Sequence, residues 1–95
     1  MTTFAENFSR LLGMHDLTDR QAAQLLRLAP QTISMWRRTD REPSANTLHA
    51  IANFFEINSL DLGARPFQEM LPMLADPERF QRVEKKIRRG ELTAV

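Results

Sequence analysis

Cysteine is absent from the chain, which excludes disulfides, zinc–thiolate sites and cysteine nucleophiles. Glycine occurs only at Gly13, Gly63 and Gly90, too scattered to build a Walker or dinucleotide-binding loop. There is no hairpin dipeptide and no alternating run of β-branched residues, so a hairpin-built sheet is not expected. Long apolar runs are missing too. The longest stretch free of Asp, Glu, Lys and Arg is Pro43 to Phe55, thirteen residues, against the ~18 or more that a membrane span needs. The opening MTTFAENFSR places Glu6 before any Lys or Arg, unlike a secretory signal. These absences lead to the expectation of a soluble, cytoplasmic protein with no membrane association.

What is present is a chain of 95 residues and 11.0 kDa, the size of one domain with a short appendage. Its 42% hydrophobic and 26% charged residues suit a folded domain rather than a disordered one. The net charge of +1 hides an uneven distribution. Between Arg20 and Arg41 stand five arginines (20, 27, 37, 38 and 41) and one acid, Asp40, a local excess of +4. A basic patch on a nearly neutral chain points to a polyanionic partner.

The apolar pattern has helical period throughout. Phe4, Phe8, Leu11 and Leu12 make one stripe of a helix from Thr3 to Met14. Thr18 and Gln21 form a capping box for a second helix, with Ala22, Leu25 and Leu26 inward and Ala23 small enough for a close crossing. After Arg27-Leu28-Ala29, Pro30 suits a first helical position and opens a third helix to Arg38, with Ile33 and Trp36 inward. Ser44 caps a fourth helix running to about Phe55, with Leu48, Ile51, Ala52 and Phe55 inward. Ile57, Leu60 and Leu62 read as a short fifth helix closing the core.

In the tail, Phe67, Met70, Leu71 and Leu74 share a stripe that Pro72 should kink or break. Asp76-Pro77-Glu78 starts a last helix, with Phe80, Val83 and Ile87 on one face, basic residues near its end and Gly90 beyond. The domain division is 1–64 and 65–95.

The outward face of the third helix reads either as a plain solvated face or as that of a groove reader. A B-form major groove admits one α-helix, and base edges are read by side chains opposite the core. Gln31 can pair bidentately with adenine, Thr32 can donate or accept, and Met35 can pack on a thymine methyl. Backbone phosphates would be met by Thr18, Arg20, Arg38, Arg41, Ser44 and Asn46, two of which head helices whose free N–H groups attract anions. Trp36, three residues from Ile33, belongs to the core rather than to a base stack. His15 reads as a loop residue and His49 as an exposed helix residue. Neither has ligand-spaced partners, so no metal site is expected. No serine sits in a nucleophile elbow, no catalytic constellation is visible, and no cofactor is implied.

The span LTDRQAAQLLRLAPQTISMWRR, followed by EPSANTLHAIANFFEI, resembles the Cro/repressor-like helix-turn-helix family of the xenobiotic-response-element type. The resemblance implies an all-α fold, a five-helix DNA-binding domain with a C-terminal helical extension, and a transcriptional regulator whose recognition helix is about 30–38. Four positions depart from the family. Arg27 stands where a turn glycine is usual, Arg37 and Thr39 replace a Glu and a Gly near the end of the recognition helix, and Asp19 replaces a phosphate-contacting Gln.

Family members usually bind two-fold operators as dimers. On that ground Phe67, Leu71, Leu74, Phe80, Val83 and Ile87 are expected to form a homodimer interface on a palindromic double-stranded DNA operator, although the same stripe could fold back on its own chain. The alternative is an antitoxin or interaction module whose C-terminal helices bind a partner protein.

Overall fold

Helix starts in this chain are written in side chains. Thr2, Thr18, Ser44 and Asn58 each accept a hydrogen bond from a backbone N–H two or three residues on, satisfying groups that have no partner in the helix ladder. They introduce α1 (Thr3–Met14), α2 (Asp19–Leu26), α4 (Ala45–Phe54) and α5 (Ser59–Ala64). Between α2 and α4 lies α3 (Pro30–Arg38), opened by Pro30 with no side-chain cap. Then come α6 (Phe67–Leu74) and α7 (Pro77–Thr93). The computed structural model describes residues 2–93, with side chains as far as Gly90, and every regular element among them is helical.

Helix ends show how the shortage of glycine is met. Asp16, Arg27 and Glu56 adopt left-handed backbone at φ 55, 57 and 55°, a conformation that costs a non-glycine residue roughly 1–2 kcal/mol. In each case the next residue is apolar, and its N–H reaches back to close the helix. Leu17 bonds Leu12 O, Leu28 bonds Ala23 O and Ile57 bonds Ala52 O, each at 2.8 Å. Leu17 and Ile57 are buried and Leu28 packs on the core, so burial offsets the strain.

One apolar cluster runs from Phe4 to Ile87. Phe4 and Phe8 stack at 5.4 Å, and Trp36 meets both edge-on at 5.7 and 6.1 Å, so Trp36 is a core residue, 4% exposed. Buried Asn7 ties α1 to the end of α5, donating through Nδ2 to Leu62 O at 3.0 Å and Arg65 O at 2.8 Å.

The tail departs from expectation at its centre. Leu74 and Val83 are fully buried and Ile87 is 6% exposed within the single chain, so these three cannot offer side-chain surface to a second copy while α6 and α7 are docked. Phe67 and Phe80 are half-buried: Phe67 lies under the Arg10 guanidinium, 5.4 Å from the ring centre, and Phe80 stacks on His15 at 4.5 Å. Leu71 alone of the six stays well exposed, at 43%. Burial of the apolar stripe is satisfied by the chain's own α1, α2 and α4, which is the fold-back arrangement.

The docking also uses charge. The last carbonyls of an α-helix have no full partner in its own ladder. At the end of α4, α7 supplies donors: Lys86 Nζ donates to Asn53 O and Phe54 O at 3.1 Å, and Arg79 donates to Glu56 O at 2.9 and 3.1 Å and to Phe55 O. Arg82 pairs with Glu56 at 2.9 Å. The Arg82 hydrogen bond holds the Glu56 carboxyl below its ordinary pKa.

Three smaller expectations are corrected. Leu60 is 77% exposed and does not close the core; Ile57 and Leu62 do. α6 continues through Pro72 to Leu74 before the chain breaks at Ala75. Gly90 lies inside α7 rather than after it, because the helix passes so near α2 that a Cβ there would overlap Leu25 Cδ2. His15 stands in the loop after α1 as expected, but it is buried, 6% exposed. Its ring lies between Phe80 and Phe55, with Nδ1 3.5 Å from Glu84 Oε2.

Candidate nucleic-acid interface

The third helix divides its faces as its sequence suggests. Ile33 and Trp36 are buried at 0 and 4%, which fixes the rotation of α3 about its own axis. That rotation leaves Gln31 and Arg38 exposed, with Thr32, Ser34 and Met35 half-buried. Pro30, Gln31, Ser34, Met35, Arg38 and Thr39 line an open depression along the outer face. Arg38 lies along this face, its Nε donating to Ser34 Oγ at 3.0 Å. Met35 also packs partly on the core, so only part of its side chain is available for contact.

The flanking helix starts are built from local motifs. Thr18 Oγ1 accepts from Gln21 N at 3.1 Å while Gln21 Oε1 accepts from Thr18 N at 2.9 Å, completing the capping box. The N–H groups of Asp19 and Arg20, one turn earlier than the ladder can use, remain at the positive end of α2. At α4, Ser44 Oγ accepts from Thr47 N at 3.4 Å and donates to Thr47 Oγ1 at 3.1 Å. Thr18, Arg20, Arg41, Ser44 and Asn46 are all exposed. The loop carrying Arg41 is anchored to α3: Thr39 Oγ1 donates to Met35 O at 2.8 Å and accepts from Arg41 N at 3.2 Å.

Asp19 and Arg37, two of the departures noted above, turn out to be partners. Arg37 Nη1 donates to Asp19 Oδ1, and Arg37 Nε donates to Ser9 Oγ at 3.1 Å. This ion pair links α3 to the first turn of α2 across 18 positions of sequence. Helical spacing rules could not have found it, since they relate residues three or four apart. The opposite charges at two family-variant positions were the one available signal.

Among the described residues no group of three or more His, Asp or Glu side chains is placed to hold a metal ion, and no helix is long and apolar enough to cross a membrane.

A short α2, a three-residue turn and an α3 with a polar outer face define a helix-turn-helix DNA-binding domain. A family model described as helix-turn-helix matches residues 9–62, more than half of the chain. The chain belongs to this family, the Cro/repressor-like group of DNA-binding regulators. No curated protein and no solved structure gives a match.

Proposed function

We propose that this protein is a sequence-specific transcriptional regulator that binds a palindromic operator as a homodimer, with α3 in the major groove. Gln31, Thr32 and Met35 then meet base edges. Thr18, Arg20, Arg38, Arg41, Ser44 and Asn46 meet the phosphates. The observation that carries this reading is the division of α3: a buried Ile33–Trp36 face holds the helix while exposed Gln31 and Arg38 point away from the core, beside two exposed, capped helix starts.

The homodimer reading is supported by the two-fold binding usual among helix-turn-helix regulators rather than by the tail stripe. The large apolar side chains left exposed among the described residues are Leu60, Leu71 and Met73, on α5 and α6. They offer a second copy more apolar surface than Leu74, Val83 or Ile87.

Selection from a random duplex library at fixed physiological salt tests the proposal. The expected result is an inverted repeat with half-sites one helical turn apart. Gln31→Ala should relax base preference at one position per half-site and lose ~1–3 kcal/mol there. Arg41→Ala should instead weaken cognate and random DNA alike and flatten the salt dependence. A library that yields no enriched sequence, or identical sequence and salt profiles for both variants, would reject the assignment of roles.

A further inference from the structure

The recognition helix is held differently at its two ends. Its first turn has no side-chain cap, since Ala29 occupies that position, and the preceding turn runs through the left-handed Arg27. Its last turn carries Arg37, whose planar guanidinium reaches two other helices at once. Nε donates to Ser9 Oγ of α1 at 3.1 Å and Nη1 donates to Asp19 Oδ1 in the first turn of α2. The pair is partly open to solvent, with side chains 36 and 34% exposed, so it contributes little to stability as a surface ion pair. A fork of fixed geometry that reaches two helices from a third is suited instead to setting an angle.

We propose that Arg37 is the positioning residue of the recognition helix, holding α3 against α1 and α2 so that Gln31 and Thr32 arrive in register with the bases. This inference rests on the DNA-binding reading above and assigns a role within it. Asp19 gives the arrangement a second consequence. Its carboxylate lies in the first turn of α2, beside the N–H groups that face phosphate, and there a bare negative charge opposes DNA. Arg37 offsets part of that charge. Asp19 therefore acts in two opposite directions: its charge weakens attraction to any DNA, while its bond to Arg37 sharpens discrimination between sequences.

The opposition makes the role measurable. Asp19→Asn removes the charge and loosens the tie. Affinity for random DNA should rise by roughly threefold. The cognate-to-random ratio should fall by about tenfold, the scale of one base contact held out of register. Arg37→Ala should lower the ratio similarly while also lowering random affinity. The reversed pair, Asp19→Arg with Arg37→Asp, restores an ion pair between α2 and α3 while giving up the bond to Ser9. It should recover most of the ratio lost by either single variant while binding random DNA more tightly than the parent.

If Asp19→Asn raises cognate and random affinity by the same factor, the pair is an electrostatic bystander and the proposal is overturned. A lowered melting temperature with an unchanged ratio would overturn it as well, by making the tie merely structural. Failure of the reversed pair to recover the ratio counts against it in the same way. A parent chain that selects no sequence at all defeats the DNA-binding reading, a result distinct from each of these.

Discussion

The two halves of the molecule are held together by different means. In α1 to α5 the helix ends are satisfied close by: four side-chain caps act over two or three residues, three helix ends close on the apolar residue that follows, and Asn7 and Arg37 are the exceptions that reach far along the chain. In α6 and α7 the bonds that matter run far along the chain. Arg79, Arg82 and Lys86 reach back 23 to 33 positions to the end of α4, and His15 meets Glu84 and Phe80 from the opposite end of the chain. The first region makes a surface and the second braces it from behind. Local satisfaction leaves the outer face of α3 clear, whereas the basic tail spends much of its charge on α4 carbonyls and Glu56 rather than on a partner.

The sharpest way to break this contrast is to charge the buried face of the tail. Val83→Asp places an unpaired carboxylate where no solvent reaches, and should cost ~3–5 kcal/mol of stability in a single-chain unfolding measurement. If the variant instead keeps parental stability and only changes the sedimentation of the chain, the tail is an interface and not a brace.

Next in size is Arg79→Met, which keeps the packed stem but leaves Phe55 O and Glu56 O without their charged donor. A loss of ~2–3 kcal/mol is expected by urea denaturation. The loss should come with faster amide exchange in the last turn of α4, while exchange at the α2 capping box stays the same.

A pH titration separates the halves again. Burial pushes the His15 pKa below its ordinary value, the Glu84 carboxylate opposes the shift and the Arg79 cation adds to it. The folded chain therefore resists a proton that the unfolded chain accepts near pH ~6.5. The stability tied to a neutral His15 is present in full above that value. It is lost as pH falls from there through the lower folded pKa. Glu56 behaves as a carboxylate whose folded pKa is lowered. Its contribution is present above the unfolded carboxylate pKa and disappears only in more acidic solution, as pH falls through its folded value. Melting temperatures measured from neutral pH downward should show the His15 window first, and His15→Phe should flatten that window alone.

The smallest effect expected is a gain. Arg27→Gly relieves the left-handed strain in the turn between α2 and α3, and should raise stability by up to about 1 kcal/mol by the denaturant midpoint. A loss would mean that the Arg27 side chain holds the turn through contacts beyond its backbone.

Much of the first region is legible from neighbours in sequence. The Thr18–Gln21 box, Pro30 at a first helical position, the Ile33–Trp36 spacing and the Ser44 cap all describe interactions within one turn, and all appear where the pattern puts them. The reading fails where a residue's partner is distant. Asp19 looked like a misplaced acid and Arg37 like a missing Glu until the crossing of α2 and α3 brought them together. His15 was legible as a loop residue but not as a buried one, since its stacking partner lies 65 positions on. Leu60 carries the apolar character of a core residue but falls on the outside of a six-residue helix too short for its periodicity to be read.

The amino-acid sequence alone determined most of the helices, their caps and the inward side of α3, because each of these depends on the 3.6-residue period and on hydrogen bonds that span one turn; the family was carried by the residues that match its pattern. What it could not settle was the destination of the tail. An amphipathic stripe must be buried, but periodicity does not say against what: α1 and α4 of the same chain or α7 of another remove the same apolar area from water. That choice belongs to tertiary geometry. The carbonyls at the end of α4 lie within reach of Arg79 and Lys86, and Gly90 lets α7 close on Leu25, so Leu74, Val83 and Ile87 are covered by their own chain.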